Sequence, residues 1–204
     1  MTYLLHLDSS ADVRSSASRQ LTSEFAQRWV AASPGREIRY RDLHAAPLPH
    51  LPTNTLHFTA DRRPVDGIAP APDIAQLQDE LIEELSGAAG VLIGAPMYNF
   101  SMPSTLKVWV DYVHVIGATS PAAEGIAPLR GKPVTVVSAR ATPTGADLEA
   151  DFVVGPLITI LGSFMGMQVS GFVVHTEPPA TPEDFYRPIE QVRPEVLEHA
   201  DSWL

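Results

Sequence analysis

Short apolar segments rich in β-branched residues alternate along the chain with longer segments whose apolar residues recur at helical spacing. Strands are predicted at residues 3–7, 38–43, 91–95, 134–138 and 169–174. Helices are predicted from residue 18 onward and over residues 73–85, 103–116 and about 148–161. Between residues 182 and 204 we expect two short or kinked helices, because Pro188 and Pro194 interrupt the pattern there.

This alternation predicts an α/β protein. The third, fourth and fifth strands form largely continuous apolar runs, which is typical of a parallel sheet with helices on both faces. The second strand has one charged face and is predicted at a sheet edge. Five strands of this kind form the flavodoxin-like doubly wound fold, with strand order 2-1-3-4-5. We expect one such domain over residues 1–204, with its ligand among the loops at residues 8–18, 95–103 and 138–147.

Residues 44–72 form a long insert between the second strand and the second helix. Six of these 29 residues are proline, and no helical or strand period is visible. Loops of this length are usually functional or disordered. The insert is either a semi-rigid cover over the site, a contact with a second subunit, or a plain surface loop.

Composition narrows the possible chemistry and partners. The 204 residues include no cysteine, which excludes disulfides and thiol nucleophiles, so any redox chemistry needs a bound cofactor. The net charge of -10 argues against a nucleic-acid partner. Residues 152–174 carry no charge, but their glycines, proline and β-branched end favour a buried helix and strand over a membrane helix. The start of the chain lacks a secretory pattern, so we expect a cytoplasmic protein.

Several common ligand motifs do not occur in the sequence. No GxGxxG follows the first strand, the seven histidines form no HxH or HExxH pair, and there is no GxSxG. Residues 125–133, GIAPLRGKP, depart from a phosphate-binding P-loop in glycine spacing and place proline at the hydroxyl position. The sequence therefore predicts no metal site and no dinucleotide bound in Rossmann fashion.

The first loop, residues 8–18, is called the serine loop below. Ser9 and Ser10 follow the first strand, and Ser16, Ala17 and Ser18 open the first helix. Unpaired N–H groups and the positive end of the helix dipole favour an anion at such a position, so a terminal phosphate is one interpretation. The other is that Ser16 or Ser18 only caps the helix.

The third strand runs into residues 95–103, APMYNFSMP, called the aromatic turn below. Its apolar side chains can cover a flat ring, and its backbone N–H groups can reach a ring nitrogen and carbonyl. Alternatively, Tyr98 and Phe100 belong to the core. Phosphate donors on one loop beside a ring-binding wall on the next are what a mononucleotide requires, which favours the ligand-binding interpretation.

These segments together resemble the FMN-dependent NADH azoreductases, which are flavodoxin-like NAD(P)H:quinone oxidoreductases. The resemblance rests on APMYNF at 95–100, the serine loop, Arg41-Asp42-Leu43 and the segment 161–166. It implies that the FMN phosphate is held by Ser10, Ser16, Ala17 and Ser18, with Ser9 also in the cofactor site. It implies that Met97, Tyr98, Asn99 and Phe100 line the isoalloxazine, with Pro96 also in the cofactor site. It also implies a homodimer with each flavin near the subunit interface.

The implied activity is a ping-pong transfer of two electrons, as hydride, from NADH or NADPH through FMN to a quinone or azo compound. No side chain is then required as a nucleophile, since the chemistry belongs to FMN. After the fourth strand the family has Ser-Arg-Gly-Gly, whereas this chain has Ser138, Ala139 and Arg140 at the expected flavin contact. An inward-pointing Arg140 is expected to stabilise the reduced, anionic flavin.

Two other functions remain open from the sequence. One is a flavodoxin-type electron carrier, against which the chain length, the aromatic turn and the insert all argue. The other is a flavin-free binding module that retains the fold, which the altered residues 138–142 keep open. Residues 117–124 lack the aromatic side chains that relatives place at the substrate face, so no substrate preference is carried over.

Overall fold

The computed structural model describes residues 2–122, 125–141, 151–176 and 187–203. The strands are β1 (Thr2–Asp8), β2 (Arg36–Asp42), β3 (Gly90–Pro96), β4 (Pro133–Ala141) and β5 (Gln168–Thr176). The helices are α1 (Ala17–Ala31), α2 (Pro72–Gly87), α3 (Ser104–Val113), α4 (Val154–Leu157) and α5 (Arg187–Asp201). A π-helical segment, Ile158–Phe164, follows α4 directly, and two short 3₁₀ turns occupy Asn54–His57 and Ala60–Arg62.

All neighbouring strands pair in parallel, in the order β2-β1-β3-β4-β5. The predicted order and the edge position of β2 are therefore confirmed. The chain winds outward in opposite directions from β1, so β1 lies between β2 and β3. Asp8 at its carboxyl end is paired with Asp42 on one side and Gly94 on the other. This point is where a doubly wound sheet forms a ligand crevice.

Two apolar clusters cover the faces of the sheet, because successive side chains of a strand point to opposite faces. Leu5 and Leu7 pack with Trp109 and Tyr112 of α3 in one cluster. Leu4 lies in the other cluster, which includes side chains of α1 and α5. Helices on both faces explain why the central strand β3 is apolar and buried along its whole length.

The predicted α3 is three residues too long at its end. The helix ends at Val113, not Ile116, because the buried Thr119 hydroxyl accepts a hydrogen bond from the Val115 N–H and donates one to the Val113 carbonyl. These bonds replace the next helical turn and turn the chain away from the helix axis. A side chain six residues beyond the helix therefore sets its end.

The expectation of two short or kinked C-terminal helices is wrong for the described residues, where α5 is one helix over Arg187–Asp201. Pro188 lies in the first turn, where its missing N–H costs no hydrogen bond. Pro194 lies inside the helix, and burial of Val196 against α1 together with the Arg193–Glu24 ion pair (Nε to Oε2, 2.8 Å) compensates for the lost bond. Residues 182–186 and 148–150 of the predicted helices lie outside the described residues.

The charge-free segment 152–174 contains α4, the π-helical turn and most of β5, which confirms the predicted helix followed by a strand. The π-helical form was not predicted. It shows in the Met165 N–H, which donates to the Ile160 carbonyl five residues earlier at 3.1 Å. In the part of the chain that the structure describes, no helix is long and apolar enough to cross a membrane.

Part of the insert belongs to the core. Leu56 is fully buried, and the Gln78 side chain on α2 donates to the carbonyls of Leu56 and Tyr112 at 2.8 and 3.0 Å. The N–H of Ile116 donates to the His57 carbonyl at 2.8 Å. Residues 54–58 are therefore anchored to α2 and to the end of α3, and a plain surface loop does not describe them.

The close pairing of β1 and β3 gives a test of the fold. A Cβ added at Gly94 would overlap the Asp8 carboxylate. We expect Gly94→Ala to lower the free energy of unfolding by about 1–3 kcal/mol in urea titration. Gly155→Ala is the matched control, because among the described residues no atom outside its own helix lies within 4 Å of the added Cβ. Equal stability of the two variants would contradict the proposed crowding.

Candidate functional site

The serine loop leaves β1 while remaining bound to β3. The Ser9 N–H and hydroxyl both donate to the Gly94 carbonyl, at 3.0 and 2.8 Å. Ser9 and Ser10 are almost fully buried. The loop therefore starts from a defined position at the carboxyl edge of the sheet. Ser9 has its hydroxyl used in this contact, whereas Ser10 points toward the aromatic turn.

The other end of the serine loop forms the amino-terminal cap of α1. Ser16 is the N-cap residue; its Oγ accepts the Arg19 N–H at 3.4 Å and lies 3.0 Å from the Ser18 hydroxyl. Ser16 therefore caps α1. Among the described residues, the backbone N–H groups of Ser16, Ala17 and Ser18 have no hydrogen-bond partner. Capping and anion binding are thus compatible, because they use different groups.

The aromatic turn contains a tight reversal at its centre. Tyr98 and Ser101 exchange backbone hydrogen bonds at 2.9 and 3.1 Å, and Asn99 and Phe100 have φ values of 49° and 60°. This is a type I′ turn with two non-glycine residues in the left-handed region, a costly conformation. Tyr98 and Phe100 are 40% and 56% exposed, so the alternative that they belong to the core is wrong.

The turn leaves two N–H groups available. The Met97 N–H donates to the Ala139 carbonyl at 2.8 Å, and the Tyr98 N–H donates within the turn. The N–H groups of Asn99 and Phe100 have no partner within the described ranges. Of the backbone donors in residues 97–100, these two can therefore meet a ligand.

The tyrosine hydroxyl joins the two loops. Tyr98 Oη accepts the Ala11 N–H at 3.0 Å and lies 3.3 Å from the Ser10 hydroxyl. The structure thus brings together the serine loop and the aromatic turn, as the strand order predicts. Their free donors, at Ser16–Ser18 and at Asn99 and Phe100, lie on two connected loops at one edge of the sheet.

Residues 139–141, expected in the loop after the fourth strand, belong to β4. Ser138 and Ala139 pair with Ala95 and Pro96 of β3, and Arg140 pairs with His175 of β5. The Arg140 side chain is 10% exposed, with Nη1 3.7 Å from the Asp151 carboxylate. Burial, and then the Arg140 charge, lowers the pKa of His175. Arg140 therefore lies at the carboxyl edge of the sheet, as predicted, but its guanidinium forms an ion pair with Asp151. Residues 142–147 of this loop lie outside the described residues.

Sequence reasoning missed a charged network beneath the serine loop. Arg19 forms a two-pronged ion pair with Asp42, with Nη1–Oδ2 at 2.8 Å and Nη2–Oδ1 at 2.9 Å. Tyr40 donates to Asp8 at 3.1 Å and accepts from Arg19 at 3.0 Å. Arg19 directly follows Ser18, and Asp42 belongs to the Arg41-Asp42-Leu43 segment. That adjacency was the available signal, but spacing alone does not show that the two elements meet.

The network shifts the pKa values of two of its members, Asp42 and Tyr40. The hydrogen bonds from Arg19 are the main cause that lowers the pKa of Asp42 to about 2. Burial, and then the negative charge of Asp8, raises the pKa of Tyr40 to about 12. Both Asp42 and the Tyr40 hydroxyl therefore keep one protonation state through the physiological range. In the described residues no group of three or more His, Asp or Glu side chains is arranged to hold a metal.

A family model described as a flavodoxin-like fold matches residues 2–199. The chain belongs to this family. The FMN-dependent NADH:quinone oxidoreductase of Kineococcus radiotolerans is 43% identical to this chain over 173 residues. The aligned region covers 83% of this chain and 80% of that protein. The protein of the same name from Streptomyces coelicolor is 39% identical over 180 residues, 85% of this chain and 79% of that protein.

Solved structures of the flavodoxin-like family show the same fold. An FMN-dependent NADH-azoreductase from Bacillus anthracis, crystallised with FMN, has a TM-score of 0.78 at 19% identity and covers 98% of this chain and 99% of its own. A second azoreductase from that organism has a TM-score of 0.78 at 20% identity, with coverage of 99% and 100%. The fold predicted from the strand pattern is confirmed.

The Arg19–Asp42 pair predicts a pH dependence of stability. The pKa of Asp42 is lower in the folded chain, about 2, than its ordinary 3.8, so the pair stabilises the fold above pH 4 and this contribution is lost as the pH falls toward 2. We expect Asp42→Asn to lower the free energy of unfolding at pH 7 by on the order of 1 kcal/mol, since solvent screens the pair. Urea titrations of both proteins should converge near pH 2. A constant difference between pH 7 and pH 2 would contradict this account.

Proposed function

We propose that this protein is an FMN-dependent oxidoreductase that uses NADH or NADPH to reduce quinones, and azo compounds as further acceptors. The names of its family relatives support this proposal. The observation that carries it is the pair of donor sets on adjoining loops: free N–H groups at the start of α1 and at the turn after β3. One set fits a phosphate and the other fits the polar edge of a ring.

The serine loop fits the phosphate of FMN. The free N–H groups of Ser16, Ala17 and Ser18 stand at the positive end of the α1 dipole, and the Ser18 hydroxyl belongs to the same turn. The Ser10 hydroxyl lies in the same loop, beside the Asp12 N–H and the Tyr98 hydroxyl. Ser9 supports the loop through its bonds to β3. These neutral donors can hold an anion on a protein whose net charge is -10, because the favourable potential is local.

The aromatic turn fits the flavin ring. The backbone donors of Asn99 and Phe100 can bind ring nitrogen and carbonyl acceptors, and Met97, Tyr98 and Phe100 supply apolar surface that excludes water. The type I′ conformation holds these donors in place before binding, which reduces the entropy cost of binding. FMN bound here supplies two-electron transfer between the nicotinamide nucleotide and the acceptor.

The carboxyl end of β4 contributes a hydroxyl, a backbone contact and a positive charge to the proposed site. Ser138 is fully buried, and its hydroxyl has no partner in the described part of the chain. Ala139 positions the aromatic turn by accepting from Met97. Arg140 brings positive charge to this edge, and its Asp151 neighbour partly offsets that charge. We propose that Arg140 favours the reduced flavin, with a smaller effect than an unpaired arginine would have.

We also propose that the protein acts as a homodimer. Ile158 and Phe164 of the π-helical segment and Phe100 of the aromatic turn are large apolar side chains with 44%, 56% and 56% exposure. Phe100 contacts Phe152, just before α4, edge to face at a centroid distance of 5.8 Å. Phe100 and Phe152 therefore border the proposed flavin site, and Ile158 and Phe164 lie on the helical segment that follows them, so a second subunit on this face would remove these groups from water.

The activity is tested on purified protein. We expect a yellow protein that retains FMN and oxidises NADH or NADPH in the presence of menadione, with parallel lines in double-reciprocal plots as ping-pong kinetics require. An electron carrier would bind FMN without steady-state oxidation of the nucleotide. A colourless protein that does not take up added FMN would support the flavin-free binding module instead.

The dimer is tested by a charge at the exposed π-helical face. We expect Phe164→Glu to shift the protein from dimer toward monomer in sedimentation velocity, because burial of an unpaired carboxylate is unfavourable. Ile38→Glu is the control, since it introduces the same charge on β2 at the opposite edge of the sheet. A wild-type protein that sediments as a monomer, or equal effects of the two variants, would overturn the proposed interface.

A further inference from the structure

The guanidinium of Arg19 has no donor left for a ligand. Its side chain is 14% exposed, and the group carries five N–H bonds. Nε and Nη2 donate to the Ser10 carbonyl at 3.2 and 2.7 Å, and Nη1 and Nη2 donate to Asp42. The remaining Nη1 hydrogen goes to the Tyr40 hydroxyl at 3.0 Å. Arg19 lies in the first turn of α1, beside the proposed phosphate site, but protein acceptors take all of its N–H bonds.

These bonds fix one peptide group of the serine loop from both sides. The carbonyl of Ser10 is held by Arg19, and the N–H of the same peptide, belonging to Ala11, is held by Tyr98 Oη at 3.0 Å. The Ser10 hydroxyl accepts the Asp12 N–H at 3.2 Å. The backbone next to the Ser10 hydroxyl therefore has little freedom, and its position depends on Arg19.

Asp42 makes this attachment rigid. Its carboxylate accepts the N–H groups of His44 and Ala45, both at 3.0 Å, in the turn that follows β2. Arg19 therefore links the first turn of α1 to a fixed acceptor at the end of β2. Two bonds to a carboxylate hold the plane of the guanidinium as well as its position.

We propose that Arg19 is a positioning residue that shapes the serine loop for the FMN phosphate and is not itself a phosphate ligand. This inference rests on the proposed function. Arg19 fixes the Ser10–Ala11 peptide, and Asp42 keeps the guanidinium turned toward β2. The phosphate is then met by backbone N–H groups and hydroxyls already in place, so less conformational entropy is lost on binding.

A direct phosphate ligand would behave differently. If Arg19 bound the phosphate, Asp42 would compete for the same guanidinium, and its neutralisation would strengthen FMN binding. If Arg19 positions the loop, Asp42 supports it, and its neutralisation weakens FMN binding. The sign of the change in Asp42→Asn therefore separates the two roles.

The experiment measures binding of FMN and of riboflavin, which lacks the phosphate, by flavin fluorescence titration of apoprotein. Arg19→Lys keeps the charge but loses the planar fork. We expect Arg19→Lys and Asp42→Asn each to weaken FMN binding about tenfold, equivalent to one charged hydrogen bond, with riboflavin affinity nearly unchanged. Arg41→Lys is the matched control, because Arg41 forms a similar two-pronged pair with Glu84 on α2.

Each result has a definite meaning. Tighter FMN binding by Asp42→Asn, equal losses for FMN and riboflavin, or an equal FMN loss in Arg41→Lys would overturn the positioning role. Unchanged FMN affinity in both Arg19→Lys and Asp42→Asn would also overturn it, while leaving the proposed function intact. A wild-type protein that does not bind FMN would overturn the proposed function and this inference together. Circular dichroism checks that each variant folds. If Arg19→Lys does not fold, the FMN affinity of Asp42→Asn alone decides between the two roles.

Discussion

Two carboxylates on neighbouring strands impose the main constraint on this site. Asp8 and Asp42 are paired across β1 and β2, and the Asp8 side chain is almost fully buried. Like charges at paired positions repel, and a buried carboxylate needs donors. Asp8 obtains them from Thr22 at 3.0 Å and Tyr40 at 3.1 Å. Arg19 meets Asp42 directly and lies 3.8 Å from Asp8, so one cation serves both acids.

The rest of the crevice follows from this arrangement. Arg19 has to lie at the start of α1 to reach both strands, which brings the serine loop over the carboxyl edge of β1. Because the arginine is used by the two acids and by Ser10, the helix start is left with neutral donors. An acidic chain can thus carry an anion site without a basic patch, since aligned peptide dipoles provide the local potential. The net charge of -10 still disfavours a polyanionic partner.

The regular part of this structure could be predicted because it depends on local periodicity. The apolar β-branched runs identify the strands, and the charged face of residues 38–43 identifies the edge. The end of α3 could not be predicted in the same way, since it depends on the hydroxyl of Thr119 folding back onto Val113 and Val115. The continuous α5 could not be predicted either, because the cost of Pro194 is local whereas the burial that offsets it comes from α1.

The candidate site likewise has features that the sequence predicts and features that it does not. Serines after β1 and the motif after β3 are visible in the sequence, and the strand order places them side by side. The left-handed turn at Asn99 and Phe100 is not visible, since neither residue is glycine. The link from Arg19 to Asp42 is invisible too, because 23 positions separate its partners and only the parallel pairing of β1 and β2 joins them.

The altered segment after Ser138 has a physical explanation in strand pairing. The resemblance led us to expect a loop at the place where relatives have two glycines, but β4 continues in register with β5 as far as Ala141 and Thr176. Ladder pairing uses backbone groups that a glycine loop would leave free, and β-strand conformation needs no glycine. Arg140 can therefore occupy this position because its backbone belongs to the sheet and its side chain turns toward Asp151. Under the proposed function, the side of the flavin that glycines would open by close approach is bounded here by a strand, which leaves the exposed side chains of the aromatic turn as the proposed ring contact.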